Sequence, residues 1–121
     1  MKKLVISTLL ASSVLLASNG EELVTQNGCM ECHQMQGQAI GPAFMGIAKK
    51  NKTQFSDIAN EKIFKSIKNG SSGQYRKFKD TPMPAFSNLN DTDIQTITSW
   101  ILSLDTSSMR NGSGGNKGNR Y

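Results

Sequence analysis

One run of six residues, Gly28-Cys29-Met30-Glu31-Cys32-His33, holds both cysteines and the only histidine of this chain. A C-x-x-C-H run is the pattern on which a c-type haem is attached covalently. The two thiols add across the haem vinyl groups as thioethers, and the next residue offers an imidazole to the iron from the same side. That spacing constrains the fold. One turn of backbone has to set two sulfurs along one porphyrin edge and an imidazole beneath the metal, so the rest of the chain must pack around a disc. A haem held this way in a small secreted protein points to electron transfer.

Other readings of these residues use them less completely. Structural zinc takes four Cys or His ligands, and the chain offers three. A thioredoxin-like dithiol needs a βαβ context, and no strand pattern surrounds Cys29. A disulfide across so short a loop stabilises little, because its effect grows with loop length. The bland alternative is that three residues fall together by chance.

The chain opens Met1-Lys2-Lys3 and continues from Leu4 to Leu16 with only Ser and Thr interrupting the apolar residues, closing on Ala17. A basic start, an apolar stretch too short to span a bilayer and a small residue at its end predict a secretory signal peptide over residues 1–17. An uncleaved anchor is the alternative. No cysteine ends the run, so a lipoprotein anchor is not indicated.

The formal charge of +5 looks like a nucleic-acid binder's until it is located. Lys2 and Lys3 belong to the leader, and Arg110, Lys117 and Arg120 to the tail. Between Gly20 and Asp105 nine basic residues balance nine acidic ones, so no nucleic-acid partner is expected. What remains after the leader makes one domain with a modest core. A bound haem adds a large apolar surface, so folding and cofactor binding should be coupled, and the haem-free chain should be largely unfolded.

Periodicity predicts an all-α chain. Glu21 to Gly28 reads as a short helix with acidic residues at its start and an Asn-Gly stop. Gln34 to Pro42 is loop, and Phe44 to Lys50 a short helix. Asn60 to Asn69 is a helix with Ile63, Phe64 and Ile67 on one face, stopped at Gly70. Ser71 to Pro84 is loop. The last helix is capped by Asn90, carries Asp91 and Asp93 in its first turn, and aligns Ile94, Ile97, Ile101 and Leu104, with Trp100 adjoining. Residues 18–105 form the domain. Residues 106–121 are a Gly-, Asn- and Ser-rich basic tail expected to be disordered.

With no second histidine, methionine is the natural candidate for a second axial ligand. Met30 and Met35 lie in or just beyond the attachment turn, on the wrong side of the ring. Met45 continues a helix and suits the core, and Met109 is in the tail. Met83, between Pro82 and Pro84, sits where a stiff backbone can hold a thioether at fixed distance, and it is the candidate.

From about Glu21 to Leu104 the sequence resembles the class I c-type cytochromes, especially the small soluble monohaem proteins of the bacterial periplasm. The resemblance rests on Cys29–His33, Gly41-Pro42-Ala43-Phe44, Ile67-Lys68-Asn69-Gly70, Pro82-Met83-Pro84 and the final helix with Trp100, in that order. It implies the small cytochrome c fold, about four to five helices around one covalent haem c. Cys29 and Cys32 would form the thioethers, His33 would be the proximal and Met83 the distal iron ligand, and the Pro42 carbonyl would accept the other His33 ring N–H. The first and last helices would cross near one haem edge, with Ile97 and Trp100 packing there. Haem attachment outside the cytoplasm in bacteria agrees with the leader. Two departures stand out. Phe78 occupies the place where some relatives have a tryptophan that bonds a haem propionate. Phe86 falls near an asparagine that in some relatives touches the methionine sulfur.

The function these features imply is a periplasmic one-electron carrier and not an enzyme. Such a carrier would be a monomer exchanging electrons with partner proteins, without stable membrane insertion once the leader is removed. Lys49, Lys50 and Lys52, with Lys77 and Lys79, would flank the haem crevice for acidic partners or be ordinary solvated surface. The alternative is a haem c subunit of a periplasmic oxidoreductase, for example one acting on sulfur compounds. A haem sensor or peroxidase-like protein ranks last, because no distal His, Arg or Glu accompanies Met83.

Overall fold

The computed structural model describes residues 19–37 and 39–109, so the expected leader and the tail beyond Met109 lie outside it. Four helices follow one another: α1 (Gly20–Gln26), α2 (Phe44–Gln54), α3 (Ala59–Asn69) and α4 (Asp91–Ser103). Short 3-10 turns lie at Cys29–Glu31, Ser56–Ile58 and Arg76–Phe78. Among the described residues the extended pairing is a single antiparallel bridge, Ser71 to Met83. The all-α expectation holds.

Polar side chains start the outer two helices. The Asn19 side chain accepts from the Glu22 amide at 2.8 Å, and that of Asn90 from the Asp93 amide at 2.8 Å. Each supplies one of the partners a first helical turn lacks. Sequence reasoning found the Asn90 cap and missed Asn19. α2 runs one turn past the expected end at Lys50. The side chain of Asn51 bonds back to the Ile47 carbonyl at 2.9 Å and the Phe55 amide continues to Asn51 at 3.0 Å, so the helix closes its own last turn.

α4 is the spine. It crosses α1 and packs on α2 and α3. Ile94, Ile97 and Ile101 at i, i+3 and i+7 are buried against Leu23 and Val24 of α1, Phe44 and Ala48 of α2, and Ile63 and Ile67 of α3. Where α1 meets α4 the backbones approach closely: a Cβ on Gly20 would stand 2.1 Å from the Cβ of Trp100. That crossing needs a residue without a side chain.

Composition predicted no structure from Thr106 onward, yet the described part of that segment turns back on itself. The Met109 amide bonds the Thr106 carbonyl at 3.1 Å, and Lys49 Nζ donates to the Met109 carbonyl at 2.7 Å. Lys52 Nζ donates to the Leu104 carbonyl at 2.7 Å. Lysines of α2 thereby fasten the end of α4 and the four residues after Asp105.

Candidate haem site

α1 ends directly before the motif. Asn27 Nδ2 bonds the Leu23 carbonyl at 2.8 Å, and Gly28 takes φ 70°, a left-handed conformation that glycine adopts freely and that reverses the chain. One tight turn follows. The amides of Cys32 and His33 both reach the Cys29 carbonyl, at 3.2 and 2.9 Å. Both cysteines are free thiols and half-buried. Burial pushes the Cys29 thiol above its usual range, its own backbone amide opposes this, and the nearby Cys32 adds to the rise. Among the described residues no three His, Cys, Asp or Glu side chains gather as a metal would require.

His33 is 8 % exposed, and its Nδ1 lies 2.6 Å from the Pro42 carbonyl oxygen. A carbonyl only accepts, so Nδ1 carries the proton and Nε2 is left with a bare lone pair for a metal. The loop that brings Pro42 there is tied to the motif. The Gly41 amide bonds the Cys32 carbonyl at 2.7 Å, and the Phe44 amide bonds that of Gln34 at 2.8 Å. The Phe44 ring then tilts against the imidazole, centroid to centroid 5.3 Å.

One apolar cavity, open to solvent, collects most of the expected site residues. Cys29, His33, Pro42, Met83 and Ile97 line it, with Ile47, Ile63, Ile67 and Ile101 as apolar wall. Met83 is held by its backbone: its amide donates to the Ser71 carbonyl at 2.8 Å, and its carbonyl accepts from the Ser71 amide at 3.1 Å. Gly70 permits this pairing, since a Cβ there would be 2.8 Å from the Met83 oxygen. Met45 is buried in α2, as core. An imidazole nitrogen free to bind a metal, a pinned thioether and the Cys29 thiol line one apolar cavity, with the Cys32 thiol in the same tight turn, and this donor set fits a covalent haem.

Trp100 stands elsewhere. It does not line the cavity. Its ring meets Phe44 edge-on at 5.2 Å and its Cβ lies over Gly20, so its place is the α1–α4 crossing. Cys32 borders His33 in sequence and is likewise absent from the lining. Phe78 and Phe86 both face the cavity. Of the lysines expected around it, Lys49, Lys50 and Lys52 bond the carbonyls of Met109, Gln74 and Leu104, and Lys79 pairs with Asp80 at 2.6 Å. None of these four lines the cavity, whereas Lys62 does, together with Ser66 one turn later, Asn51 and Tyr75. Sequence reasoning missed this polar group, because a lysine beside an apolar stripe reads as solvated surface.

Comparison with known proteins agrees with this geometry. The family model for cytochrome c matches residues 17–105. Cytochrome c-552 of Nitrosomonas europaea is 35 % identical over 107 residues, 86 % of this chain and 99 % of that protein. Cytochrome c-551 of Pseudomonas aeruginosa is 33 % identical over 108 residues, 85 % of this chain and 98 % of that one. The crystal structure of the Nitrosomonas europaea cytochrome c552 superposes with a TM-score of 0.62, over 70 % of this chain and 99 % of that chain.

Proposed function

This chain belongs to the cytochrome c family, electron-transfer proteins that carry one covalent haem c, and on that footing we propose that it is a periplasmic one-electron carrier with His33 and Met83 as axial ligands. Bound haem would supply an iron that alternates between ferric and ferrous states. Everything else is the work of this chain's residues.

Cys29 and Cys32 hold the cofactor covalently. His33 is kept in one tautomer by the Pro42 carbonyl, which also makes its free nitrogen more basic. Among the described residues Met83 is the only methionine lining the cavity, and the two bonds to Ser71 fix its backbone. The His33 nitrogen and the Met83 thioether would hold the iron of a bound haem, and such a pair would raise its potential. Isoleucines of α3 and α4 give the cavity an apolar wall. The observation that carries this reading is His33 and Met83 lining one apolar cavity beside Cys29.

Two further supports bear on location. The first 17 residues have the pattern of a secretory leader, and no helix among the described residues is long and apolar enough to cross a membrane.

The near-infrared spectrum of the ferric holoprotein tests the axial pair. A methionine-to-iron charge-transfer band that is lost in Met83→Ala is the expected result. A wild-type protein with covalent haem and no such band would overturn the closed carrier.

A further inference from the structure

Gly70 follows α3, and in sequence the Asn69-Gly70 pair is an ordinary helix stop. A glycine that only ends a helix takes a left-handed conformation, as Gly28 does after α1 with φ 70° and ψ 16°. Gly70 does not. Its φ is 77° but its ψ is 171°, a combination in practice open to glycine alone. The chain therefore runs on extended instead of curling over the end of α3, and it pairs with the strand of backbone that carries Met83.

Three backbone bonds result. Ser71 and Met83 exchange two, at 3.1 and 2.8 Å, and the Phe86 amide donates at 2.9 Å to the Ile67 carbonyl, one of those a helix end leaves open. Ile67 is buried in the core, so this latch joins the loop of Met83 to a fixed element. Gly70 lies between its two ends. A Cβ there would stand 2.8 Å from the Met83 carbonyl oxygen, 3.1 Å from the Ala85 nitrogen and 3.3 Å from the Pro84 carbonyl carbon. All three are backbone atoms, which cannot swing aside as the tip of a side chain can. Pro82 and Pro84 stiffen the same stretch, so a push on any of these atoms is passed to Met83.

Resting on the axial reading above, we propose that Gly70 is the positioning residue for Met83. It sets the depth at which the loop seats on α3, and so keeps the thioether at the iron of bound haem and small external ligands away from it. A side chain at position 70 lifts the loop at the Met83 carbonyl itself. The attachment turn and the contact of His33 with Pro42 belong to other segments and keep their geometry. Only the Met83 side is loosened, an effect that a general loss of stability does not produce.

The test is imidazole titration of the ferric holoprotein, with covalent haem verified in each variant. In Gly70→Ala the affinity for imidazole should rise about tenfold or more, and the methionine-to-iron band should weaken. Gly20→Ala, destabilised at the α1–α4 crossing, should bind imidazole as wild type does. Equal affinity in Gly70→Ala and wild type overturns the proposal. A rise of the same size in Gly20→Ala assigns the effect to general loosening and also overturns it.

Wild type supplies a second reading that needs no variant. Coupling between two equilibria is reciprocal, so saturating imidazole, which takes the place of Met83, should speed amide hydrogen exchange at Ser71, Met83 and Phe86 about tenfold. Exchange at Ile97 of α4 should stay as it was. Unaltered exchange at the three latch amides overturns the proposal even where Gly70→Ala yields no holoprotein, and it leaves the axial pair standing. Wild-type holoprotein without a methionine-to-iron band removes the axial reading, and this one with it.

Discussion

The Cβ that Gly41 lacks would stand 2.9 Å from Cε1 of His33 and 3.2 Å from its Nδ1. The imidazole is therefore held between the Pro42 carbonyl on one nitrogen and a backbone that comes as near as glycine allows. In Gly41→Ala the ring has to move, the bond to Pro42 weakens and the imidazole becomes less basic. Haem should still attach through Cys29 and Cys32, while the potential rises and stability falls by about 1–3 kcal/mol. Redox titration and thermal melts check this. An unchanged potential would show that the ring is not clamped.

Gly20 makes the comparable contact at a distance from the cavity. Its missing Cβ would fall 2.1 Å from that of Trp100, so Gly20→Ala must push α1 off α4. We expect a loss of roughly 1–3 kcal/mol or more in denaturant unfolding, with the haem spectrum unaltered. An altered haem spectrum would show that Trp100 acts on the cofactor after all.

Alkaline stability should depend on Tyr75. Its folded pKa, about 12, lies above the value of 10.0 for a free phenol, so the folded chain holds the proton longer than the unfolded chain. The contribution is complete below pH 10 and disappears as pH rises through about 12, with a size on the order of 2–3 kcal/mol. Unfolding free energies of the holoprotein between these limits should fall more steeply for wild type than for Tyr75→Phe. Equal slopes would place the hydroxyl in water.

Without haem the cavity walls have nothing to pack on. Ile63, Ile67, Ile97 and Ile101 belong at once to the core and to the lining, so an empty cavity removes part of the core itself. The Cys29→Ala, Cys32→Ala chain should show little cooperative melting by circular dichroism. A sharp calorimetric transition in that variant would mean that the four helices fold without the cofactor.

Short-range features were legible in the sequence. The attachment turn, the Asn90 cap and the isoleucine stripe of α4 depend on residues a few positions apart, and local geometry decides such patterns. Met83 lines the cavity on a stretch of backbone that two prolines restrict. Trp100 marks the limit. Its neighbours in sequence put it beside the stripe, but its rotation about α4 aims it at Gly20 and Phe44 and not into the cavity.

The sequence by itself determined the chemistry: a turn that can present two thiols and an imidazole, one further thioether on a stiff loop, and four amphipathic segments to surround them. Tertiary structure alone decided which groups share a space. The pairing of Met83 with Ser71 and the Asn51–Tyr75 contact join residues on separate elements. Such contacts leave no periodic trace, because they follow from how the helices cross, and the crossing is set by close packing of the whole core.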